Sequence, residues 1–371
     1  MAQPASPWGS FIPFLRETYG FSYDLSGVLL SCQSIGNLFS VLAAGFLPVW
    51  LGRRKGILIT AVWMVVAYLI FASGLGSPGL LVVACLMNGI SRGGNSSFSN
   101  TMISTLPGEK ATRGYNLLHG CFAVGALLSP TVLILCARCW PEIGWRITAG
   151  LLCLLCLVQV AFYAKMPLPA EKAEHSLKAV DYSFLRVKLF WLGSAMLLFY
   201  TSVEYAITGW LVTYFQDIGI LNPDYAQLMN SLLWLVIFFA RMVGAVLTGK
   251  ISRNRILMTD GVGLFLFFLV MFFSRTAGLI ILGLVGVGFF MATIYPTAFA
   301  FGSDCIKGND LGCSIMIFTG SAGGIITPAL VGFVAESAGI RAGMGLIVAC
   351  AALLLLSIIL SVWSVCGKRG E

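Results

Sequence analysis

The sequence predicts an all-α protein that crosses a membrane many times. Three observations support this fold class: the composition, the length of the apolar runs and the placement of basic residues. Of the 371 residues, 58% are hydrophobic and 10% are charged, and the mean hydropathy is +0.92. Soluble domains carry about 25% charged residues. A water-soluble core could not hide this much apolar surface, which excludes a cytosolic enzyme, a nucleic-acid-binding protein and a secreted scaffold.

Apolar runs of membrane-spanning length recur along the whole chain. A bilayer core requires about 20 apolar residues per helix. Residues 8–16 (WGSFIPFLR) predict only the tail of a helix. Windows of full length predict eleven complete spans, at 25–50, 55–75, 79–103, 113–137, 144–166, 188–215, 226–250, 255–274, 277–303, 312–335 and 341–365.

A polar segment divides these spans into two groups. It covers residues 167–187 and contains two prolines and several charges. The sequence therefore predicts an N-terminal helical half over 1–166, a cytoplasmic linker over 167–187 and a C-terminal six-helix half over 188–371.

Loops on alternate sides of the predicted membrane differ in basic residues. One set contains sixteen Lys and Arg residues and the opposite set contains five. Because basic loops stay in the cytoplasm, we expect a multi-pass protein of the cell membrane, the inner membrane in a bacterium, with a cytoplasmic C-terminus. The net charge of +8 then reflects topology, and we expect no nucleic-acid partner.

The two groups of spans carry matching residues in the same order, which indicates an internal repeat. The offsets are between 195 and 199 residues. Parallel repeats of this kind are a recurrent plan of secondary transporters. The matches pair Gly89 with Gly288, Gly114, Gly125 and Pro130 with Gly312, Gly323 and Pro328, and Gly144, Arg146 and Gly150 with Gly339, Arg341 and Gly345.

The same repeat predicts that the first helix is largely missing. Residues 9–17 (GSFIPFLRE) align with 209–217 (GWLVTYFQD) at an offset of 200, which would start the first helix about a dozen residues before Met1. Two explanations are open: a start codon assigned too late, or an eleven-span carrier with its N-terminus outside.

One loop carries a family motif. GFLPVWLGRRKG (45–56) resembles the loop between helices 2 and 3 of the major facilitator superfamily, G-x-L-x-D-[RK]-x-G-[RK]-[RK]. Val49 stands where the family has Asp, and Trp50 where it has a basic residue, so the carboxylate of the family's gating network is absent. The resemblance implies a gating loop formed by Gly45, Gly52, Arg53, Arg54 and Lys55.

Three further segments resemble the branch of that superfamily with fucose permease and sodium- or proton-coupled glucose carriers. They are NLLHGCFAVGALLSP (116–130), YTSVEYAITGWLVTYF (200–215) and GFFMATIYPTAFAFG (288–302). The resemblance implies a major facilitator fold, a solute site between the halves and alternating access. It implies a secondary active transporter for a small hydrophilic solute, with a sugar favoured and proton or sodium coupling to be tested.

Polar side chains recur on one face of several predicted spans, and such faces line water in membrane proteins. Asn88, Arg92, Asn95 and Ser99 share one helix face. The alternative is that such groups only bond neighbouring helices. The candidate solute residues are Gln33, Asn37, Arg92, Asn95, Asn100, His119, Glu204, Tyr205, Thr208, Trp210, Asn230, Trp234 and Tyr295.

Glu204 is the candidate ion-coupling residue. The proton-linked acids of the resembled branch lie in helices 1 and 4, and Asn95 or Ser96 occupies the fourth-helix position here. Coupling would therefore rest on Glu204, or the carrier is uncoupled. A structural ion pair with Arg92 is the alternative for this acid.

Two further ionisable residues lie near span ends. We interpret Arg241 as snorkelling towards the interface or contacting a helix end. Asp260 is expected in a charge network with Arg253 or Arg255.

No catalytic or metal-binding motif accompanies these residues. The histidines are His119 and His175, and neither a HExxH nor a Ser–Lys pair occurs. We expect no enzyme, cofactor or metal, and a monomer whose partners are its solute, a proton or sodium, and the lipid bilayer. The alternatives are a membrane-embedded enzyme and a nutrient receptor that keeps the fold without transporting.

Overall fold

Helices form nearly all of the chain that the computed structural model describes, namely residues 8–43, 53–104, 124–125, 128–166, 183–247, 251–303 and 310–366. The helices are α1 (Trp8–Tyr19), α2 (Tyr23–Ala43), α3 (Arg53–Ser73), α4 (Pro78–Ser104), α5 (Leu128–Cys139), α6 (Gly144–Lys165), α7 (Lys188–Asp217), α8 (Pro223–Leu247), α9 (Arg253–Phe273), α10 (Ala277–Met291), α11 (Ile294–Ser303), α12 (Asp310–Ala338) and α13 (Ile340–Cys366).

The helices have the length and composition of membrane spans. Within the described residues, eight stretches are long and apolar enough to cross a bilayer. The all-helical, multi-pass prediction is therefore confirmed. The count of eleven spans stays a prediction. The windows at 25–50 and 79–103 are not among the eight stretches, and the window at 113–137 falls largely on residues outside the described ranges.

Two compact units make up the chain. The first comprises residues 1–21 and 28–177, and the second comprises 22–27 and 178–371. In the first unit α3 packs against α4 and α6; in the second, α7 packs against α12 and α13, and α9 against α10. The predicted linker lies mostly outside the described residues, which resume with a short 3₁₀ turn at Ser183–Arg186.

Glycines allow very close helix contacts within each unit. A Cβ added at Gly89 on α4 would overlap the backbone carbonyl of Gln33 on α2. A Cβ added at Gly323 on α12 would overlap the carbonyl of Leu198 on α7. These backbones approach closely because no side chain separates them, the usual packing mode of membrane helices.

The first turn of α2 is anchored by hydrogen bonds inside the second unit, to which residues 22–27 belong. The Tyr23 hydroxyl donates to Asp217 Oδ2 at 2.6 Å, and the Tyr23 backbone N–H donates to Glu336 Oε2 at 2.7 Å. Beside it, the Ser22 hydroxyl and the Leu25 N–H lower the pKa of the Asp24 carboxyl. Acidic groups are favoured at this helix end, where backbone N–H groups are exposed.

The span predicted at 277–303 is broken in the structure. Helix α10 ends at Met291 and α11 begins at Ile294. The sequence explains the break, because the carbonyl of Ala292 would normally accept a bond from the N–H of residue 296, and Pro296 has none. The break therefore exposes a backbone carbonyl that must find another donor.

Part of the predicted gating loop can be located. Gly45 and Gly52 lie outside the described residues, and so does the side chain of Arg53. The Arg54 guanidinium donates to the carbonyl of Ala164 in the last turn of α6, and the Lys55 side chain is exposed. Arg54 thus caps a helix C-terminus, where cations are favoured.

Candidate functional site

Asn88 is the centre of a buried polar cluster in the first unit. Its Oδ1 accepts hydrogen bonds from Trp8 Nε1 at 2.9 Å and from Gln33 Nε2 at 2.8 Å. Its Nδ2 donates to Met64 Sδ at 2.9 Å. The cluster joins α1, α2, α3 and α4, and it uses the Gln33 amide that we predicted to face the solute.

The indole of Trp8 also packs against aromatic rings of α3. It stacks on Tyr68 with ring centroids 6.2 Å apart and meets Phe71 edge-on at 3.9 Å. Neither Trp8 nor the central role of Asn88 is indicated by the sequence pattern. Their positions are 80 residues apart, so neither local pattern nor spacing connects them.

Removing the Trp8 hydrogen bond should destabilise the first unit. We expect Trp8→Phe to lower the free energy of unfolding by about 1–3 kcal/mol, because a buried bond and part of the ring packing are lost. The matched control is Trp191→Phe, since the Trp191 indole is exposed and donates to Leu185 O at 2.8 Å. Melting temperatures in detergent measure both changes, and equal shifts would contradict the structural role of Trp8.

The remaining first-unit candidates lie on α2 and α4. Asn95 is buried, its Nδ2 donates to Ser91 Oγ at 3.4 Å, and its Oδ1 accepts no hydrogen bond within the described structure. Arg92 is half-buried one turn away, and Asn37 lies beside Gly93 on the facing helix. The side chain of Asn100 and all of His119 lie outside the described residues.

In the second unit, Glu204 lies among tyrosines. It is half-buried on α7 and interacts electrostatically with the hydroxyls of Tyr200, one turn earlier, and Tyr295 on α11. The Tyr200 and Tyr295 rings are 5.6 Å apart, and Tyr205 also interacts with Tyr295. An intramembrane carboxyl near aromatic hydroxyls can accept hydrogen bonds or a proton.

Arg241 links this group to the break between α10 and α11. Its guanidinium hydrogen-bonds the Tyr200 hydroxyl, and its Nε donates to the carbonyl of Ala292 at 3.3 Å. That carbonyl is the one for which Pro296 has no N–H. The structure therefore agrees with the helix-end interpretation of Arg241 and adds Tyr200 as a partner that the sequence pattern does not indicate.

Other candidates on α7 and α8 are packed within the unit. Trp210 is fully buried, and its Nε1 donates to the carbonyl of Pro328 at 3.0 Å. Thr208 Oγ1 donates to the carbonyl of Glu204, one turn earlier, at 2.8 Å. Asn230 is buried and Trp234 is half-buried, both on α8.

Asp260 differs from the expectation of a loop charge network. It is buried on α9, and its Oδ2 accepts a hydrogen bond from the hydroxyl of Thr293 at the helix break. Arg255 lines the same cavity as Asp260, whereas Arg253 donates to the carbonyl of Ala300 at 3.5 Å. The Asp260 carboxyl is thus hydrogen-bonded to a residue at the helix break.

Known proteins share both the sequence pattern and the fold. An uncharacterised MFS-type transporter of Yersinia pestis is 20% identical over 355 residues, which cover 95% of this chain and 89% of that protein. The nucleoside transporter NupG matches with a TM-score of 0.74 and 15% identity, over 96% of both chains. A D-xylose–proton symporter matches at 0.73 with 15% identity, over 96% of this chain and 92% of its own.

The structure of FucP in its outward conformation also matches, with a TM-score of 0.64 and 16% identity over 96% of both chains. At these identities the structural likeness shows a common fold. The family model described as Major Facilitator Superfamily matches residues 6–313. Because that match covers most of the sequence, the chain belongs to the major facilitator superfamily.

Proposed function

We propose that this chain is a secondary active transporter that moves a small polyhydroxyl solute across the cell membrane by alternating access. A sugar is the favoured solute, and symport with a proton or sodium is the favoured mode. Two of the structural relatives are named for nucleoside and D-xylose transport. Both solutes contain a pentose ring, which supports the choice of solute class.

The observation that carries this proposal is the position of Glu204. Its carboxyl lies beside Tyr200 and Tyr295 inside an apolar helix. A carboxylate accepts hydrogen bonds from two vicinal hydroxyl groups, and flat aromatic faces pack on the C–H face of a sugar ring. These are the groups that a polyhydroxyl solute requires.

We assign the candidate residues to two roles. Asn37, Arg92 and Asn95 of the first unit and Glu204, Tyr205, Asn230, Trp234 and Tyr295 of the second are proposed to contact the solute. Gln33, Trp210 and Thr208 already use their polar groups in bonds within their own units, so we propose that they position the helices that carry the contacts.

A ligand screen followed by transport tests the proposal. We would measure the melting temperature of the purified protein with sugars, polyols, nucleosides and organic acids, and then the uptake of each stabilising compound into proteoliposomes. Stabilisation and uptake of a pentose or hexose would support the proposal. Stabilisation without uptake would favour a nutrient receptor, and uptake of an organic acid alone would overturn the solute class.

The proposed orientation gives a prediction for Cys139. Its side chain is exposed at the last residue of α5, whereas Cys136 one turn earlier is buried. With basic loops inside, an impermeant maleimide should label intact cells at Cys139, and Cys139→Ser should remove that label. Labelling of Cys366 in intact cells, with Cys139 unlabelled, would show the opposite orientation.

A further inference from the structure

A small cavity lies inside the second unit, where α8, α9, α10 and α11 meet. Its volume is about 160 Å³, well above the ~10–15 Å³ that one water molecule requires. Asp260 contributes the carboxylate and Thr259, Thr293 and Thr297 contribute hydroxyl groups. The rest of the wall is mainly apolar, with Phe289 and Phe290 on the α10 side.

Burying the Asp260 carboxylate costs free energy, because the structure provides few hydrogen bonds to its oxygens. Asp260 is 9% exposed, and the hydroxyl of Thr293 donates to its Oδ2. A carboxylate has about four acceptor sites. A charged group at membrane depth without full compensation is rare and marks ion pathways. The geometry therefore leaves room and acceptor capacity for a positively charged ligand.

The helix break supplies further oxygen atoms at the same place. Helix α10 ends at Met291, and in its last turn the carbonyl of Phe289 accepts only a long bond from the N–H of Ala292, at 3.4 Å, so carbonyl acceptor capacity remains there. The Thr297 hydroxyl donates to the carbonyl of Thr293 at 2.7 Å. Because the hydroxyl uses its hydrogen in this bond, the lone pairs of its oxygen stay available to a cation. In transporters, the carbonyl ends of broken helices and nearby carboxylates coordinate coupling cations.

We propose that this cavity is a monovalent-cation site, with Asp260 as its charged ligand and the threonine hydroxyls as its neutral ones. One carboxylate balances one positive charge. The described part of the chain contains no group of three or more His, Cys, Asp and Glu side chains suited to a metal ion. Divalent cations usually require more carboxylate ligands, so the site suits sodium or a proton.

The charged groups around Asp260 are compatible with this assignment. Arg255 lines the same cavity as Asp260, but its side chain is exposed, so solvent screens its charge. Arg241 of α8 is held by the carbonyl of Ala292 and by Tyr200. Tyr295 of α11 interacts with Glu204, α10 carries no charged residue, and α13 carries only Arg341, in its first turn.

The proposal rests on the proposed transport function and adds a cation site that is separate from Glu204, the proposed proton-coupling residue at the solute site. The bond chain from Tyr200 through Arg241 to Ala292, and from Thr293 to Asp260, joins the two places through the helix break. A cation bound in the cavity would thus alter the geometry of the helix break. Arg241 is hydrogen-bonded to this break through Ala292, and Tyr200 is hydrogen-bonded to Arg241. Such a link is what converts cation binding into a shift between transporter conformations.

A cation-dependent melting experiment on the full chain tests the site. We would titrate NaCl against choline chloride at constant ionic strength, at several pH values, and measure the melting temperature. Asp260→Asn and Thr293→Val are the test variants. The matched control is Asp224→Asn, in the first turn of α8, which also removes one carboxylate. Glu204→Gln, at the proposed solute site, separates the two proposals.

We expect sodium to raise the melting temperature of the wild type, Asp224→Asn and Glu204→Gln by similar amounts. Thr293→Val should weaken the apparent sodium affinity about tenfold, and Asp260→Asn should abolish the effect. A pH-dependent stabilisation that sodium does not alter, and that Asp260→Asn removes, would identify the cation as a proton. If Asp260→Asn does not fold, the Thr293→Val titration decides alone.

Two results would overturn the cation site. One is a wild type whose stability depends on neither sodium nor pH. The other is a sodium effect that Asp260→Asn and Thr293→Val leave unchanged. A failure of every sugar and nucleoside to bind, with the Asp260-dependent effect intact, would instead refute the proposed solute and leave the cation site standing.

Discussion

Glu204→Gln is expected to abolish proton-driven solute accumulation while preserving solute exchange across the membrane. The amide keeps the size and much of the hydrogen-bonding capacity of the carboxyl but does not titrate. A proton can shift the conformational equilibrium only if the two states bind it differently, and the variant removes that difference. Glu204→Ala should lose both activities, because it also removes the solute contact. Uptake with and without a pH gradient, in proteoliposomes, measures each effect.

The control for Glu204 is Glu142→Gln, an exposed carboxyl in the turn before α6. It should leave uptake and melting temperature unchanged. Gradient-driven uptake that persists in Glu204→Gln would refute the coupling role. A large fall in melting temperature that the second change Arg92→Gln restores would identify a structural ion pair, because removing one partner of a buried pair leaves an uncompensated charge.

Gly89→Ala is expected to disrupt the first unit more than its single added methyl group suggests. The new Cβ would overlap the carbonyl of Gln33 and lie 2.8 Å from the backbone nitrogen of Asn37. Backbone atoms cannot turn away as a side chain can, so α2 and α4 must separate. The bond from Gln33 to Asn88 would then weaken as well. We expect a loss of about 3 kcal/mol, at the upper end of the range for overpacked cores.

Gly150→Ala provides the matched control in the same unit. It lies in α6, and no heavy atom lies within 4 Å of the added Cβ. Because alanine is the better helix former by about 1 kcal/mol, this variant should melt at the same or a higher temperature. Equal melting temperatures for Gly89→Ala and the wild type would contradict the close approach of α2 and α4.

The class of protein follows from the sequence because it depends on the overall composition and on the recurrence of apolar segments along the chain. With 10% charged residues and repeated apolar runs, the chain must place most of its surface in lipid, and only helices or closed barrels satisfy the backbone there. The loop at 45–56 resembles the family motif despite Val49, and the family match confirms that resemblance. Glu204 was recognisable because a carboxyl in the middle of an apolar helix is rare.

The partners of these residues were decided only by tertiary structure. Helical periodicity shows which residues share a face, but it does not show which neighbouring helix covers that face. The bond from Trp8 to Asn88 spans 80 positions, and the one from Arg241 to Ala292 spans 51. Pro296 could have indicated a missing N–H, yet the sequence does not show which side chain replaces it. Likewise, the sequence pattern places Asp260 near loop arginines, whereas the structure brings the Thr293 hydroxyl to its carboxyl. The two residues lie on different helices, which meet only through the tertiary fold.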